Sequence, residues 1–150
     1  MGETLNDYNG ELFMTNINEL YDIPDFTGYK ASKDGDIYSM IPKGCRNRFD
    51  QSKWLEVPKK LAVRETKNGY CRVYMRRDST GKREDVYIHR IIASIFIPNP
   101  NNLEQINHKD CNRKNNNVEN LEWVSQYQNW EYAQTNGFQT RNSKGQFCHK

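Results

Sequence analysis

The sequence predicts an α+β fold, in which a small N-terminal β-hairpin module precedes a strand–loop–strand–helix unit. Three stretches carry this expectation. In GYCRVYMRR, ring and basic residues alternate; DSTGK supplies a turn and REDVYIH returns, which is the period-two pattern of a hairpin. In HRIIASIFI, Ile91, Ile92, Ile95 and Phe96 fall at helical spacing, and Pro98 and Pro100 end the run. Finally, QINH and LEWVS bracket a polar, Asn-rich loop, and a helix is expected from about Gln126 to Asn136, stopped by Gly137.

In chain order, residues 1–19 form an acidic, Asn-rich arm with no sustained apolar period. The module of residues 20–85 begins at YDIPDFTGYKASKDGDIYSM, where Tyr21, Ile23, Phe26 and Tyr29 lead into a strand, a Lys-Asp-Gly turn and a second strand ending at Met40. Residues 42–58 contain Pro42, Gly44, Arg46, Arg48, Lys53 and Pro58 and read as an exposed basic loop. The second hairpin closes the module. Residues 86–137 hold the short helix and the strand–loop–strand–helix unit, and 138–150 read as a polar tail.

A chain of 150 residues suits one domain with room for a small satellite. A mean hydropathy of −1.02 with 12% aromatic residues predicts a thin core built on rings. No apolar run approaches the length of a membrane span, and MGETLNDYNG lacks the basic and apolar regions of a signal peptide, so a cytoplasmic protein is expected. Cys45, Cys71, Cys111 and Cys148 show no CxxC pairing and read as reduced thiols.

The formal net charge of +3 conceals an asymmetry. Residues 1–28 carry six acidic residues and no Lys or Arg, which leaves 22 basic against 13 acidic residues in the remainder. A body this basic suits contact with phosphate backbones. Alternation along the second hairpin puts Arg72, Tyr74 and Arg76 on one face and Cys71, Val73, Met75 and Arg77 on the other. The first set is a candidate nucleic-acid surface, with Lys82 and Arg83 beside it.

The strand–loop–strand–helix unit brings Asn107, His108, Asn120 and Asn129 within reach of one another. Hydrolysis of a phosphodiester needs an activated water, and an imidazole near its ordinary pKa of about 6.5 is a competent base at neutral pH. His108 fits that role. Side-chain oxygens of Asn suit a hard divalent cation, which takes few protein ligands and keeps the rest for water and phosphate.

The ordered words VYIHRIIASIFIPNPNN and INHKDCNRKNNNVENLEWVSQYQN resemble the HNH homing-endonuclease family of phages over residues 86–136. DIPDFTGYKASKDGDIYSM resembles the short module that often precedes such nucleases. The resemblance implies a ββα-metal fold and a Mg²⁺- or Mn²⁺-dependent endonuclease of the homing type. It implies a substrate of double-stranded DNA, nicked by a monomer, with a dimer or a second event needed for a double-strand break. By motif position, His108 corresponds to the general base, Asn107 and Asn129 to metal ligands, and Asn120 to the Asn that braces the loop and orients the histidine.

Asn129 stands where other branches have the final histidine, which makes zinc the poorer match. Two departures matter. Asn107 stands where the family has Asp or Asn, and a neutral amide binds a cation less tightly than a carboxylate. Cys111 stands where the family usually has Gly. Lys109, Arg113 and Lys114 of the loop are placed for phosphates beside the cut, while Arg72, Arg76, Arg77, Lys82 and Arg83 would hold the flanking duplex. His89 is expected as a cap or packing residue, with a role at the site or on DNA as the alternative. A DNA-binding protein that keeps the scaffold with weak catalysis is the competing reading, favoured by Asn107. An RNA-binding module draws on the aromatic and basic hairpin, but no RNA-recognition word is present.

Overall fold

In the computed structural model, residues 19–135 are described throughout, together with the backbone of strands at 5–6, 13–14, 139–141 and 147–149. The rest of the expected N-terminal arm and polar tail lies outside the described residues, as do Asn136 and Gly137. Strands β1 (Leu5–Asn6) and β2 (Phe13–Met14) form one antiparallel pair. Four strands then form an antiparallel sheet in chain order: β3 (Tyr21–Asp22), β4 (Tyr29–Ala31), β5 (Ile37–Ser39) and β6 (Lys59–Lys60). The turn between β4 and β5 is the expected Lys-Asp-Gly turn, with Gly35 at φ +92°. A side chain rarely adopts that conformation, so the turn calls for glycine.

The next sheet contains β7 (Arg64–Glu65), β8 (Cys71–Arg76) and β9 (Arg83–Tyr87), also antiparallel and in chain order. Cys71, Val73 and Met75 of β8 are buried while Tyr74 and Arg76 are exposed, as the period-two alternation predicts. Helix α1 (Ile88–Phe96) follows β9 without a loop and buries Ile88, His89, Ile91, Ile92 and Ala93. Its N-cap, Tyr87, makes no side-chain capping bond, so His89 is a packing residue of the first turn and not a cap. Strands β10 (Gln105–His108) and β11 (Leu121–Val124) form an antiparallel ladder, and α2 (Gln126–Thr135) leaves β11 after one residue. Strands β12 (Gln139–Arg141) and β13 (Phe147–His149) pair antiparallel within the segment expected as a tail.

One core unites these pieces. Ile23, Phe26, Ala31 and Ile37 from the first sheet meet Val73 and Met75 from the second, Ile88, Ile91 and Ile92 from α1, and Leu121 from β11. The expectation of a core built on rings is corrected here, because aliphatic side chains dominate the buried set and, among the described residues, Phe26, Tyr29 and Tyr38 are its only Phe, Tyr or Trp side chains. Half of the described rings are exposed, and the faces of several outside the core receive cations: Arg64 lies over Tyr74, Arg72 over Tyr87 and Arg113 over Tyr70, at 5.0, 5.8 and 4.8 Å. A tyrosine there keeps its hydroxyl in water while its face holds a guanidinium.

The stretch 42–58 is also corrected. It is irregular, but Arg48 is buried, pairs with Asp78 and donates to the Arg76 carbonyl at 2.7 Å. The Trp54 indole N–H donates to the Arg48 carbonyl at 2.8 Å, so the segment is anchored onto the second hairpin.

Candidate active site

His108 ends β10 directly opposite Leu121, the first residue of β11, at the point where the ladder opens into the Asn-rich loop. The side chain is 4% exposed and lies at the wall of an open cleft of about 890 Å³. That cleft is bounded by the β7–β8 turn (67–70), by β10, by the loop at 111–114 and by α2. Alternation sends Asn107 to the other side of the strand from His108. Both side chains nonetheless border the cleft because the strand ends there.

The His108 Nε2 faces Asn116 Oδ1 at 3.4 Å. A carbonyl oxygen only accepts, so this contact selects the tautomer with the proton on Nε2 and leaves Nδ1 as the basic nitrogen. Burial lowers the His108 pKa from its ordinary value; the Asn116 bond and the Asp110 charge oppose that shift, and Arg113 adds to it. The imidazole is therefore neutral at physiological pH. His89 packs against it, with ring centroids 5.3 Å apart. Burial first, then His108 and Arg90, push the His89 pKa down to about 4. Tyr70 completes the cluster, 5.2 Å from the His89 ring and 6.1 Å from the His108 ring.

The loop owes its asparagines to backbone satisfaction. Asn112 accepts from Lys114 N at 3.1 Å, Asn115 from Asn117 N at 3.4 Å, and Asn117 from Glu119 N at 2.9 Å, a run of Asx turns. Asn120 is the brace: its Oδ1 accepts from Asp110 N at 3.0 Å, and its Nδ2 donates to Asp110 Oδ1 and to the Asn115 carbonyl, each at 2.8 Å. The two roles expected of Asn120 are thus divided. Asn120 braces the loop, and Asn116 contacts the imidazole. Sequence reasoning missed Asn116 because it sits in a run of three asparagines that local pattern cannot tell apart. Cys111 takes φ +62°, so the side chain does occupy a left-handed turn where glycine would be unstrained.

Asn107 Nδ2 donates to Glu122 Oε1 across the ladder at 2.9 Å, and Asn129 Nδ2, on the first turns of α2, donates to Gln105 Oε1 at 2.5 Å. Each amide nitrogen is occupied, and neither Oδ1 accepts a bond from any described residue. Two neutral oxygen donors free of other work fit a hard divalent cation. Among the described residues, no three His, Cys, Asp or Glu side chains gather in a manner suited to a metal.

The basic residues divide by what they touch. Arg77 is turned into the fold: it pairs with Asp25 at 2.9 Å and with Glu84, and its guanidinium lies 4.6 Å from the Phe26 ring. These partners hold the Arg77 guanidinium, which stays 33% exposed. Arg72 lies 3.8 Å from Asp85. Lys109 donates to the Glu119 carbonyl, Arg113 to the Asn68 carbonyl, and Lys114 pairs with Glu65 at 2.9 Å. Those contacts hold the loop to its neighbours, and two of the three cations, Arg113 and Lys114, border the cleft. Arg76, Lys82 and Arg83 are exposed. Tyr70, Trp130 and Tyr132 also line the cleft, and the alternating and helical patterns gave no reason to single them out.

A two-stranded ladder with a His at its open end, a polar loop and a following helix that offers an amide oxygen define the HNH class of nuclease domain. Residues 86–130 match the family model for HNH endonuclease. Among individual proteins, the chain is 32% identical over 120 residues to the DNA endonuclease I-HmuI of Bacillus phage SP01, covering 79% of this chain and 59% of that protein. It is 41% identical over 78 residues to an uncharacterized HNH endonuclease of Acanthamoeba polyphaga mimivirus, covering 52% of this chain and 23% of the relative. A second such mimivirus protein is 31% identical over 121 residues, covering 76% and 30%. A solved structure describing DNA binding and cleavage by the HNH homing endonuclease I-HmuI superposes with a TM-score of 0.61 at 30% identity, over 79% of this chain and 59% of that one. The chain thus spans less than two thirds of each of these relatives. No helix among the described residues is long and apolar enough to cross a membrane.

Proposed function

We propose that the chain is a divalent-metal-dependent DNA endonuclease that hydrolyses phosphodiester bonds in duplex DNA, acting as a monomeric nicking enzyme of the homing type. The observation that carries the reading is His108: a neutral imidazole, with Nε2 engaged by Asn116 and Nδ1 without a partner among the described residues, at the wall of a cleft that Arg113 and Lys114 also line. The described binding and cleavage of DNA by I-HmuI supports extending the class to this substrate.

In this reaction a scissile phosphate enters the cleft and Arg113 and Lys114 screen its charge. His108 Nδ1 takes a proton from water as the water oxygen forms its bond to phosphorus, and the bond from phosphorus to the leaving sugar oxygen breaks. Asn107 and Asn129 would hold the cation, Mg²⁺ or Mn²⁺ in preference to zinc, and when bound it supplies charge neutralisation at the phosphate and the leaving oxygen. Tyr70 and His89 pack behind the His108 ring and limit its motion, and Asn120 keeps the loop in shape.

The test is incubation of the purified chain with supercoiled plasmid in Mg²⁺, Mn²⁺ or EDTA. The expected result is conversion to the open circle with either cation and none in EDTA. Linear product at the earliest times would overturn nicking by a monomer. DNA binding without any cleavage would favour a retained scaffold that has lost its chemistry, the reading that the neutral Asn107 supports.

A further inference from the structure

Apart from the cleft, a second cavity of about 280 Å³ lies where the 42–50 segment meets the far end of the β8–β9 hairpin. Four arginines line it, Arg46, Arg48, Arg76 and Arg83, and no carboxylate does. Arg48 is satisfied by Asp78 and by the Arg76 carbonyl. Among the described residues the other three guanidinium groups have no ion-pair partner. Arg76 and Arg83 are moreover directly opposite each other in the ladder. Like charges in that position destabilise a strand pair, and here two more cations converge on them. Nothing in the packing needs this arrangement, because both side chains are exposed. An anion seated among them would relieve the repulsion.

We infer that this cavity is a docking site for a backbone phosphate of duplex DNA, separate from the cleavage cleft and in line with it. Tyr70 borders the cleft and Arg76 borders the second cavity, six residues further along one strand, a span of roughly 20 Å. Arg72 and Tyr74 lie between them on the same side of the strand, opposite to buried Cys71, Val73 and Met75. At about 3.4 Å per base pair, a duplex lying along β8 presents a phosphate to this cavity about six base pairs from the bond being cut. The site fixes the placement of the duplex along the enzyme without reading its bases. The inference rests on the nuclease reading above.

The experiment compares the wild-type chain with Arg46→Gln/Arg83→Gln, which leaves the structural Arg48 and the cleft untouched. Binding to a 30-base-pair duplex of arbitrary sequence is measured in EDTA across a salt series, alongside thermal unfolding without DNA. Loss of this one phosphate contact should raise Kd roughly tenfold at low salt and reduce the slope of log K against log salt by about 0.9. Removal of unpaired like charges should leave the melting temperature of the DNA-free variant equal to or above that of wild type. Unchanged Kd and salt slope in a variant whose parent binds and nicks DNA would overturn the docking site alone. Failure of the wild-type chain to bind or cut DNA would overturn the nuclease reading with it. A large fall in melting temperature would show that the arginines serve the fold, and would also overturn the proposal.

Discussion

The imidazole of His89 meets that of His108 edge to face, with ring centroids 5.3 Å apart and planes at 72°. Two ionisable groups this close and this buried cannot both carry charge cheaply, and both are shifted toward the neutral form. His89 has the larger consequence for stability. Its pKa of about 4 in the fold lies below the ordinary 6.5, so the folded state binds fewer protons than the unfolded chain between those values. Its contribution is intact above about pH 6.5 and is lost as pH falls toward 4, to a total of roughly 3 kcal/mol. Urea unfolding at pH 7, 5.5 and 4.5 measures the loss. His89→Phe keeps a ring in place without a proton site and should flatten the pH dependence; an equal slope in both proteins would mean that His89 does not titrate in this range.

Replacing His108 with Ala should lower cleavage by roughly two to four orders of magnitude, the usual share of a general base, while the affinity for duplex DNA in EDTA stays near wild type. The comparison needs rates at saturating DNA. Wild-type rates in the variant would remove His108 from the mechanism.

Asn107→Asp would bring a charge to the cation, but it would also set a carboxylate where the amide N–H now donates to Glu122 Oε1 at 2.9 Å. The single substitution should therefore gain little. Combined with Glu122→Gln, which restores a donor across the ladder, it should lower the Mg²⁺ concentration for half-maximal nicking by about tenfold. Metal titrations of the three proteins check this, and identical midpoints would place Asn107 away from the metal.

Gly35 couples the first sheet to the site. A Cβ at this residue would fall 2.7 Å from the Asn116 carbonyl oxygen, and φ of +92° is strained for any other residue. The same turn accepts Val118 N at Lys33 O, 2.9 Å, and Asn117 Nδ2 at Asp34 Oδ1, 3.1 Å. Gly35→Ala should destabilise the chain by about 1–3 kcal/mol and displace Asn116 from His108. A drop in kcat beyond what the unfolded fraction explains is the expected signature, read from cleavage at 15 °C where the variant remains folded.

Cys111 at φ +62° is a strained residue next to the catalytic loop. Cys111→Gly removes the clash of the left-handed conformation, worth about 1–2 kcal/mol, against an entropic cost of about 0.5–1 kcal/mol. A net gain of up to roughly 1.5 kcal/mol is expected, seen as a higher denaturation midpoint. A lower midpoint would mean that the thiol has packing value in the cleft wall.

The sequence alone determined the local elements of this protein, because alternation and helical spacing act over a few residues. The β8–β9 hairpin, α1, the ladder of β10 and β11 and the start of α2 were all legible in that way. So was the linear order of His108, the Asn-rich loop and Asn129, since each lies in a short word of fixed spacing. What only the tertiary structure decided rests on contacts between distant positions. Asn117 meets Asp34 across 83 positions, Arg113 meets Asn68 across 45, and Arg48 meets Asp78 across 30. Such pairs leave no period in the text. They select Asn116 over its identical neighbours as the partner of His108, tie Arg77 to Asp25 and Glu84 while Arg76 stays exposed, and leave half of the described rings exposed outside the core. The Asn-rich loop beside His108 owes its local turns to its own asparagines. Its position is set by the turns of two sheets that grip it, because backbone groups in an irregular segment must find their partners wherever the fold brings them.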